Sequence, residues 1–234
     1  MKSPAAEPKA GEKPPRGRLW AAAELVLAAA LVVGANVYDF VPVSETPWLV
    51  LMGWLSLRRR GLGWSSVGLR RPRSWKTTIA MAIVAGIALQ LLSEFVTEPL
   101  IERLTGETAD LSSFHSLVGN LGATLGMLAL VWMLAAFGEE LAYRGYVLER
   151  AAALGHGSKS AYLVGMVLVS ALFGLGHFYQ GVAGVVGSTV SGLFFGALYL
   201  ATSRNLWLPI LAHGFSDTIG LALIYLGLVP ELGG

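Results

Sequence analysis

A chain of 234 residues that is 54% hydrophobic and only 14% charged, with a mean hydropathy of +0.61, has the composition of an integral membrane protein. The formal charge of +2 matters less than where it lies, and no nucleic-acid partner is expected. With no cysteine, disulfides, thiol nucleophiles and thiolate metal sites are excluded.

Residues 1–18 end in Lys13-Pro14-Pro15-Arg16-Gly17-Arg18 and are rich in Pro, Ala and Lys without an apolar period. They are predicted to be a disordered basic cytoplasmic tail. The apolar run 19–41 exceeds the roughly 7–15-residue core of a signal peptide, so a retained first helix is expected. Further apolar segments lie at about 46–57, 77–97, 117–137, 161–178, 182–202 and 206–228. The second is too short for a full span and reads as a re-entrant or interfacial element. The expected fold is all-α, a polytopic transmembrane helical bundle of about seven to eight helices.

Loop charge sets the orientation. Between Leu57 and Thr77 lie Arg58, Arg59, Arg60, Arg70, Arg71, Arg73 and Lys76 with no acid. Between Thr97 and Leu117, Glu98, Glu102, Glu107 and Asp110 oppose Arg103 alone. The positive-inside rule makes the first loop cytoplasmic and the second external, with a cytoplasmic N-terminus and the cell membrane as the expected location. Residues 19–110 thus read as N-terminal transmembrane helices with a basic cytoplasmic loop. Trp48, Trp54, Trp64, Trp75 and Trp207 fall near segment ends and suit interfacial anchoring.

The fourth segment is expected to continue as one helix from 117 to about 153, because Ala136 to Leu154 holds no proline. Such a helix runs about 55 Å and emerges on the cytoplasmic side. Repeats of small residues at Ser188, Gly192 and Gly196, and at Gly122 and Gly126, predict close helix packing. Gly138, Gly174, Gly176 and Gly214 lie beside polar candidates, and the expectation there is room for a substrate backbone.

Ionisable groups at membrane depth are costly, so an intramembrane cluster of them points to function. Gly138-Glu139-Glu140-Leu141-Ala142-Tyr143-Arg144 is such a cluster. Glu140 and Arg144 stand at i and i+4 on one helix face, the spacing of an internal ion pair. Glu139 points about 100° away and shares its face with Tyr143, which leaves it free for chemistry. Spacing alone leaves open that both carboxylates pair with arginine and neither reacts. His177 ends an uncharged run, and His213 and Asp217 lie one turn apart on one face. The serines lack a nucleophile-elbow pattern. Glu139, His177, His213 and Asp217 suit hydrolysis of an amide by water activated by a carboxylate–histidine pair. A divalent metal such as zinc is an optional addition, with His177, His213, Asp217 and Glu139 as its candidate ligands; no H-E-x-x-H motif is present.

Taken together, Glu139-Glu140-Leu141-Ala142-Tyr143-Arg144, Phe173-Gly174-Leu175-Gly176-His177 and His213-Gly214-Phe215-Ser216-Asp217 resemble the CPBP family. That family contains the type 2 CAAX prenyl endopeptidases and the bacterial Abi-type membrane proteases. Its pattern is E-E-x-x-x-R, F-x-x-x-H and H-x-x-x-N/D on separate helices. The resemblance makes residues 111–234 a CPBP-like catalytic transmembrane core, a glutamate- or metal-dependent intramembrane endopeptidase whose site opens toward the cytoplasm. It implies that Glu139 with His177 activates water, that His213 with Asp217 stabilises the oxyanion, and that Glu140 with Arg144 supports the site. The implied partner is a membrane-associated peptide or protein, prenylated or not, met within the lipid bilayer.

Position 217 is Asp where the prenyl-protease branch commonly has Asn. An ionised aspartate only accepts hydrogen bonds, so Asp217 is protonated, or orients His213, or helps bind a metal. The alternative functions are a proton- or cation-coupled transporter and a non-proteolytic immunity or scaffold protein on the same fold.

Overall fold

Capping and chain breaks set the helix boundaries. A computed structural model of the chain describes residues 16–38, 40, 44–229 and 232. Residues 1–15, most of the expected basic tail, lie outside them, as do Val41 and its two successors. Helix α1 spans Arg16–Asn36, and α2 spans Thr46–Arg59 with Pro47 in its first turn. Helix α3, Trp75–Thr105, starts where the Ser74 hydroxyl accepts the Thr77 amide hydrogen and stops at Gly106, whose φ of 75° is left-handed. Helix α4 spans Leu121–Leu154 and α5 spans Lys159–Leu175. Asn120 and Ser158 cap these two through the amides of Ala123 and Ala161. Helices α6, Gly181–Ala201, and α7, Trp207–Tyr225, complete the bundle, and no strand occurs among the described residues.

Helices α1, α3, α4, α6 and α7 are long and apolar enough to cross a membrane. At 14 residues α2 reaches about 21 Å, short of a full hydrocarbon core. The fourth apolar segment does form one long helix, as expected, but it starts at Leu121 rather than 117. Ser112–Leu117 forms a separate 3₁₀ turn, and the Asn120 cap fixes the start. Within α4, Val131–Leu148 winds as a π-helix. Its i→i+5 turns hold more residues than α-turns, so consecutive side chains are separated by less than 100°. In α3 a shorter π-turn, Ser93–Thr97, comes just before Pro99, which lacks the amide hydrogen a regular α-turn requires.

The basic segments gather at one end of the bundle. The Arg70 guanidinium donates to the Ser203 carbonyl and the Tyr199 hydroxyl to the Val67 carbonyl, while Trp75 packs edge-on against Trp207. Arg204 pairs with Glu149, and Arg150 with Glu24. At the opposite end the Gly119 amide bonds the Tyr225 carbonyl, and the Asp110 amide bonds the Gln180 carbonyl. Hydrogen bonds from Ser112 hold the exposed Asp110 carboxyl below its ordinary range. The loop charges and the helix ends thus agree on two faces, one basic and one acidic.

Glycines set the close approaches, though not all as expected. A Cβ on Gly192 would press on Ser170, and one on Gly196 on Met166, so the small-residue seam of α6 does pack against α5. Gly126 faces open space and Gly122 meets only Asn120 of its own cap, so these two form no seam among the described residues. Gly174 abuts Thr189 and the Val185 carbonyl, Gly214 abuts the Trp132 ring, Gly138 abuts Thr46, and Gly176 abuts Glu45 and Tyr143. All four are therefore filled by this chain's own atoms rather than kept open for a substrate backbone. Their neighbours come from distant segments, which local spacing does not register.

Candidate active site

Helices α4 and α7 and the turn after α5 bring the predicted residues into one largely buried cluster, with His213 at its centre. The Arg144 guanidinium donates to Glu140 Oε1 at 2.8 Å, the ion pair expected from their spacing. Arg144 also donates to the Gly192 carbonyl at 2.9 Å and lies over the rings of Phe173 and Phe195. A fully buried cation is thereby met by a carboxylate, a carbonyl and two π-faces, which offset its desolvation.

Glu140 has a second partner. Its Oε1 lies 3.1 Å from His213 Nδ1. A carboxylate paired with arginine is an acceptor, so Nδ1 carries the hydrogen and donates to it. His213 Nε2 then faces Asp217 at 3.4 Å and Glu139 at 4.0 Å. The Phe195 ring stacks on the imidazole at 4.5 Å. Adjacent Glu139 and Glu140 thus address one histidine, because the π-winding narrows the angle between them. The separation into one structural and one free carboxylate is looser than α-helical geometry suggests.

His177 lies two residues beyond the end of α5, just before the 3₁₀ turn Phe178–Gln180. Its Nδ1 lies 3.1 Å from the Phe173 carbonyl, an acceptor, so Nδ1 is the donor and Nε2 presents its lone pair. The ring packs against Phe173 and stacks near Tyr179 at 6.0 Å. No hydrogen bond joins Glu139 to His177 among the described residues; any shared action between them runs through a water or a substrate atom. One Glu139 oxygen, Oε2, is buried without a hydrogen-bond partner, and such an atom in a polar pocket is a natural seat for a reacting water.

A metal does not fit this donor arrangement. His213 is engaged through both nitrogens and His177 through Nδ1. No group of three His, Asp or Glu side chains at ligating separation occurs among the described residues. A tetrahedral zinc centre needs at least three such donors converging on one point.

One pocket residue escapes the sequence motifs. Glu45, just before α2, is buried; its Oε1 accepts the Tyr143 hydroxyl at 2.7 Å and its Oε2 accepts the Asn36 amide at 3.0 Å. It also abuts Gly176, next to His177. As an acid at a helix start it reads as an ordinary N-terminal charge. Only the pairing with Tyr143, 98 residues away, reveals its place.

All motif positions on α4, α5 and α7 fall in one continuous segment. Residues 121–219 match the family model described as Rce1-like, type II CAAX prenyl endopeptidase Rce1-like. This segment is similar to that family. No curated protein and no solved structure shows significant similarity to the chain. The Rce1-like segment opens with α4 and ends two residues beyond Asp217, so it includes the whole Arg144–Glu140–His213–Asp217 network. Glu45, Asn36 and the basic loop lie outside it.

Exposure is graded across the pocket. It rises from Arg144 at 2% through Glu139 at 14% to Asp217 at 30%. Helix α4 runs toward the basic face and α7 away from it, so this gradient climbs toward the acidic face.

Proposed function

We propose that the protein is an intramembrane endopeptidase that hydrolyses a peptide bond of a membrane-associated peptide or protein. The carrying observation is the convergence of Glu139, Glu140, Arg144, His177, His213 and Asp217 from three helices around one imidazole in an otherwise apolar bundle. The Rce1-like match over the same residues supports a protease.

In this reading a water beside Glu139 Oε2 gives a proton to the Glu139 carboxylate while its oxygen attacks the scissile carbonyl carbon. His177 Nε2, fixed by the Phe173 carbonyl, orients that water as a second acceptor. The carbonyl electrons move onto oxygen, and the resulting oxyanion lies near His213, whose ring is held by Glu140 on one side and Asp217 on the other. The proton on Glu139 then passes to the departing amine nitrogen as the oxyanion re-forms the carbonyl and the C–N bond breaks, giving a carboxylic acid and an amine. Asp217, 3.4 Å from Nε2, serves to orient His213, one of the three roles open to it from sequence.

The test is cleavage of a membrane-anchored peptide library by the purified protein in liposomes, wild type against Glu139→Gln. Cleavage by the wild type alone supports the proposal; equal cleavage by both ends it. Prenylated and unprenylated versions of each cleaved peptide then define the substrate class.

A further inference from the structure

The start of α2 bears on α4 on both sides of Glu139. Thr46, the first residue of α2, fits against Gly138, where a Cβ would stand 3.0 Å from its Cγ2. Glu45, one residue earlier, accepts the Tyr143 hydroxyl on the following turn of α4. Thr46, Glu45 and Tyr143 are all buried. Glu45 is itself held in place. Its second carboxylate oxygen accepts the amide of Asn36, the last residue of α1, and that amide also donates to the Val32 carbonyl. Among the described residues no lysine or arginine pairs with Glu45. Both of these bonds come from neutral donors, so Glu45 works as a polar clamp and not as half of an ion pair.

Two paths of direct contact lead from Glu45 to His177. The first runs through backbone. A Cβ on Gly176 would stand 2.9 Å from Glu45 Oε1 and 3.1 Å from the Tyr143 oxygen, so the bonded pair lies against the residue that precedes His177. The second runs through rings. Tyr143 meets Phe173 edge-on at 5.0 Å, and Phe173 packs on the His177 ring at 4.8 Å. The Phe173 carbonyl is also the partner that fixes His177 Nδ1. His177 needs such support, because it lies beyond the last turn of α5, where the helical hydrogen-bond ladder has run out. A ring fastened to that end alone would turn with it, and the Nε2 lone pair would turn too.

We propose that Glu45 is a positioning residue for the hydrolysis. Through Tyr143 and the Gly176 backbone it fixes the His177 ring, with Nδ1 donating to Phe173 and Nε2 left as an acceptor. The N-terminal half of the chain thereby completes a site whose motif residues all lie within 121–219. The role in turnover rests on the proteolytic reading; the hold on the His177 ring does not.

The ring is read by nitrogen NMR of isotope-labelled histidines in detergent at mildly alkaline pH, with His177 assigned from the signals lost in His177→Gln. Wild type should show His177 as one neutral tautomer, protonated at Nδ1 alone. Glu45→Ala should show both tautomers in exchange. Glu45→Gln keeps an acceptor for Tyr143 and should match wild type. Unchanged His177 signals in Glu45→Ala overturn the proposal. Turnover is compared per folded protein, below the melting transition. Because a misplacement of about 1 Å costs on the order of 10²-fold, Glu45→Ala should lower kcat by about 10–100-fold while KM stays within about twofold. Glu45→Gln should recover most of that loss, and equal losses in the two variants overturn the proposal. Should Glu45→Ala fail to accumulate, Tyr143→Phe cuts the same link from its other end. It should show the same tautomer exchange and a fall in kcat, and wild-type behaviour in both measurements overturns the proposal. A wild type that cleaves nothing ends the proteolytic reading, and the NMR comparison still decides whether Glu45 holds His177.

Discussion

Glu140 Oε1 accepts a hydrogen from Arg144 on its own helix and another from His213 Nδ1 on α7, 73 residues away, at 2.8 and 3.1 Å. One oxygen thus links the helix that carries the acids to the helix that carries the central imidazole. Removing the carboxylate leaves a buried guanidinium without its charge partner, and such a loss costs about 3–5 kcal/mol. Glu140→Gln should therefore lower the thermal midpoint in detergent by several degrees or reduce the yield of folded protein. The double variant Glu140→Met with Arg144→Met removes both charges and should recover most of that stability. It should remain inactive, because His213 has lost its Nδ1 acceptor. Full activity in the double variant would show that the His213 contact plays no part in turnover.

Glu139 is different, since among the described residues it pairs with no arginine or lysine and approaches His213 only at 4.0 Å. Glu139→Gln keeps the size of the side chain but removes the base. A general base contributes about 10²–10⁴-fold. The variant should lose that much in kcat while its thermal midpoint stays within about a degree or two of wild type. A midpoint shift as large as that of Glu140→Gln would place Glu139 in the structural network instead.

Asp217 offers a test of orientation against charge. Asparagine can still accept from His213 Nε2, whereas alanine cannot. Asp217→Asn should stay within about tenfold of wild type in kcat, and Asp217→Ala should fall by a further factor of about ten or more, following the roughly 1–3 kcal/mol of a lost buried partner. If both variants were equally impaired, the carboxylate charge itself would be required.

How far these relations can be seen in the sequence depends on their range. Helical character, loop charge and the i,i+4 pairs Glu140–Arg144 and His213–Asp217 are local, and periodicity and spacing expose them. The convergence of α4, α5 and α7 is not local; the family resemblance of the three motifs supplied that expectation. The Glu140–His213 bond, the π-winding of residues 131–148 and the Glu45–Tyr143 pair had no signal of either kind. Glycine shows the same limit. Gly174 and Gly126 look alike as small residues in apolar helices, yet one is pressed against α6 and the other faces open space.

Glu45 sits outside the Rce1-like segment yet holds the Tyr143 hydroxyl at 2.7 Å, on the turn after Glu139. Glu45→Gln preserves an acceptor for that hydroxyl and should leave folding intact. Glu45→Ala strands the buried Tyr143 hydroxyl, costing about 1–3 kcal/mol, while the Asn36 amide keeps its bond to the Val32 carbonyl. The expected result is a lower thermal midpoint for Glu45→Ala than for Glu45→Gln, read by the same melt. Tyr143→Phe removes the stranded hydroxyl, so in the Glu45→Ala background it should restore part of the loss. If Tyr143→Phe destabilised that background further, the two side chains would not be acting as a pair.

The two glycines give the last prediction, on packing alone. A Cβ at Gly174 would stand 2.1 Å from Thr189 Oγ1 and 2.4 Å from the Val185 carbonyl oxygen, and the second atom is backbone that cannot rotate away. Gly174→Ala should therefore force α5 and α6 apart, at the roughly 1–3 kcal/mol typical of overpacking. Gly126→Ala meets nothing within 4 Å and gains helix propensity worth up to about 1 kcal/mol. Thermal melts of the two variants in the same detergent should move in opposite directions. A drop for Gly126→Ala as large as that for Gly174→Ala would mean that the face of α4 bearing Gly126 is covered by a partner, where an added methyl group is no longer free.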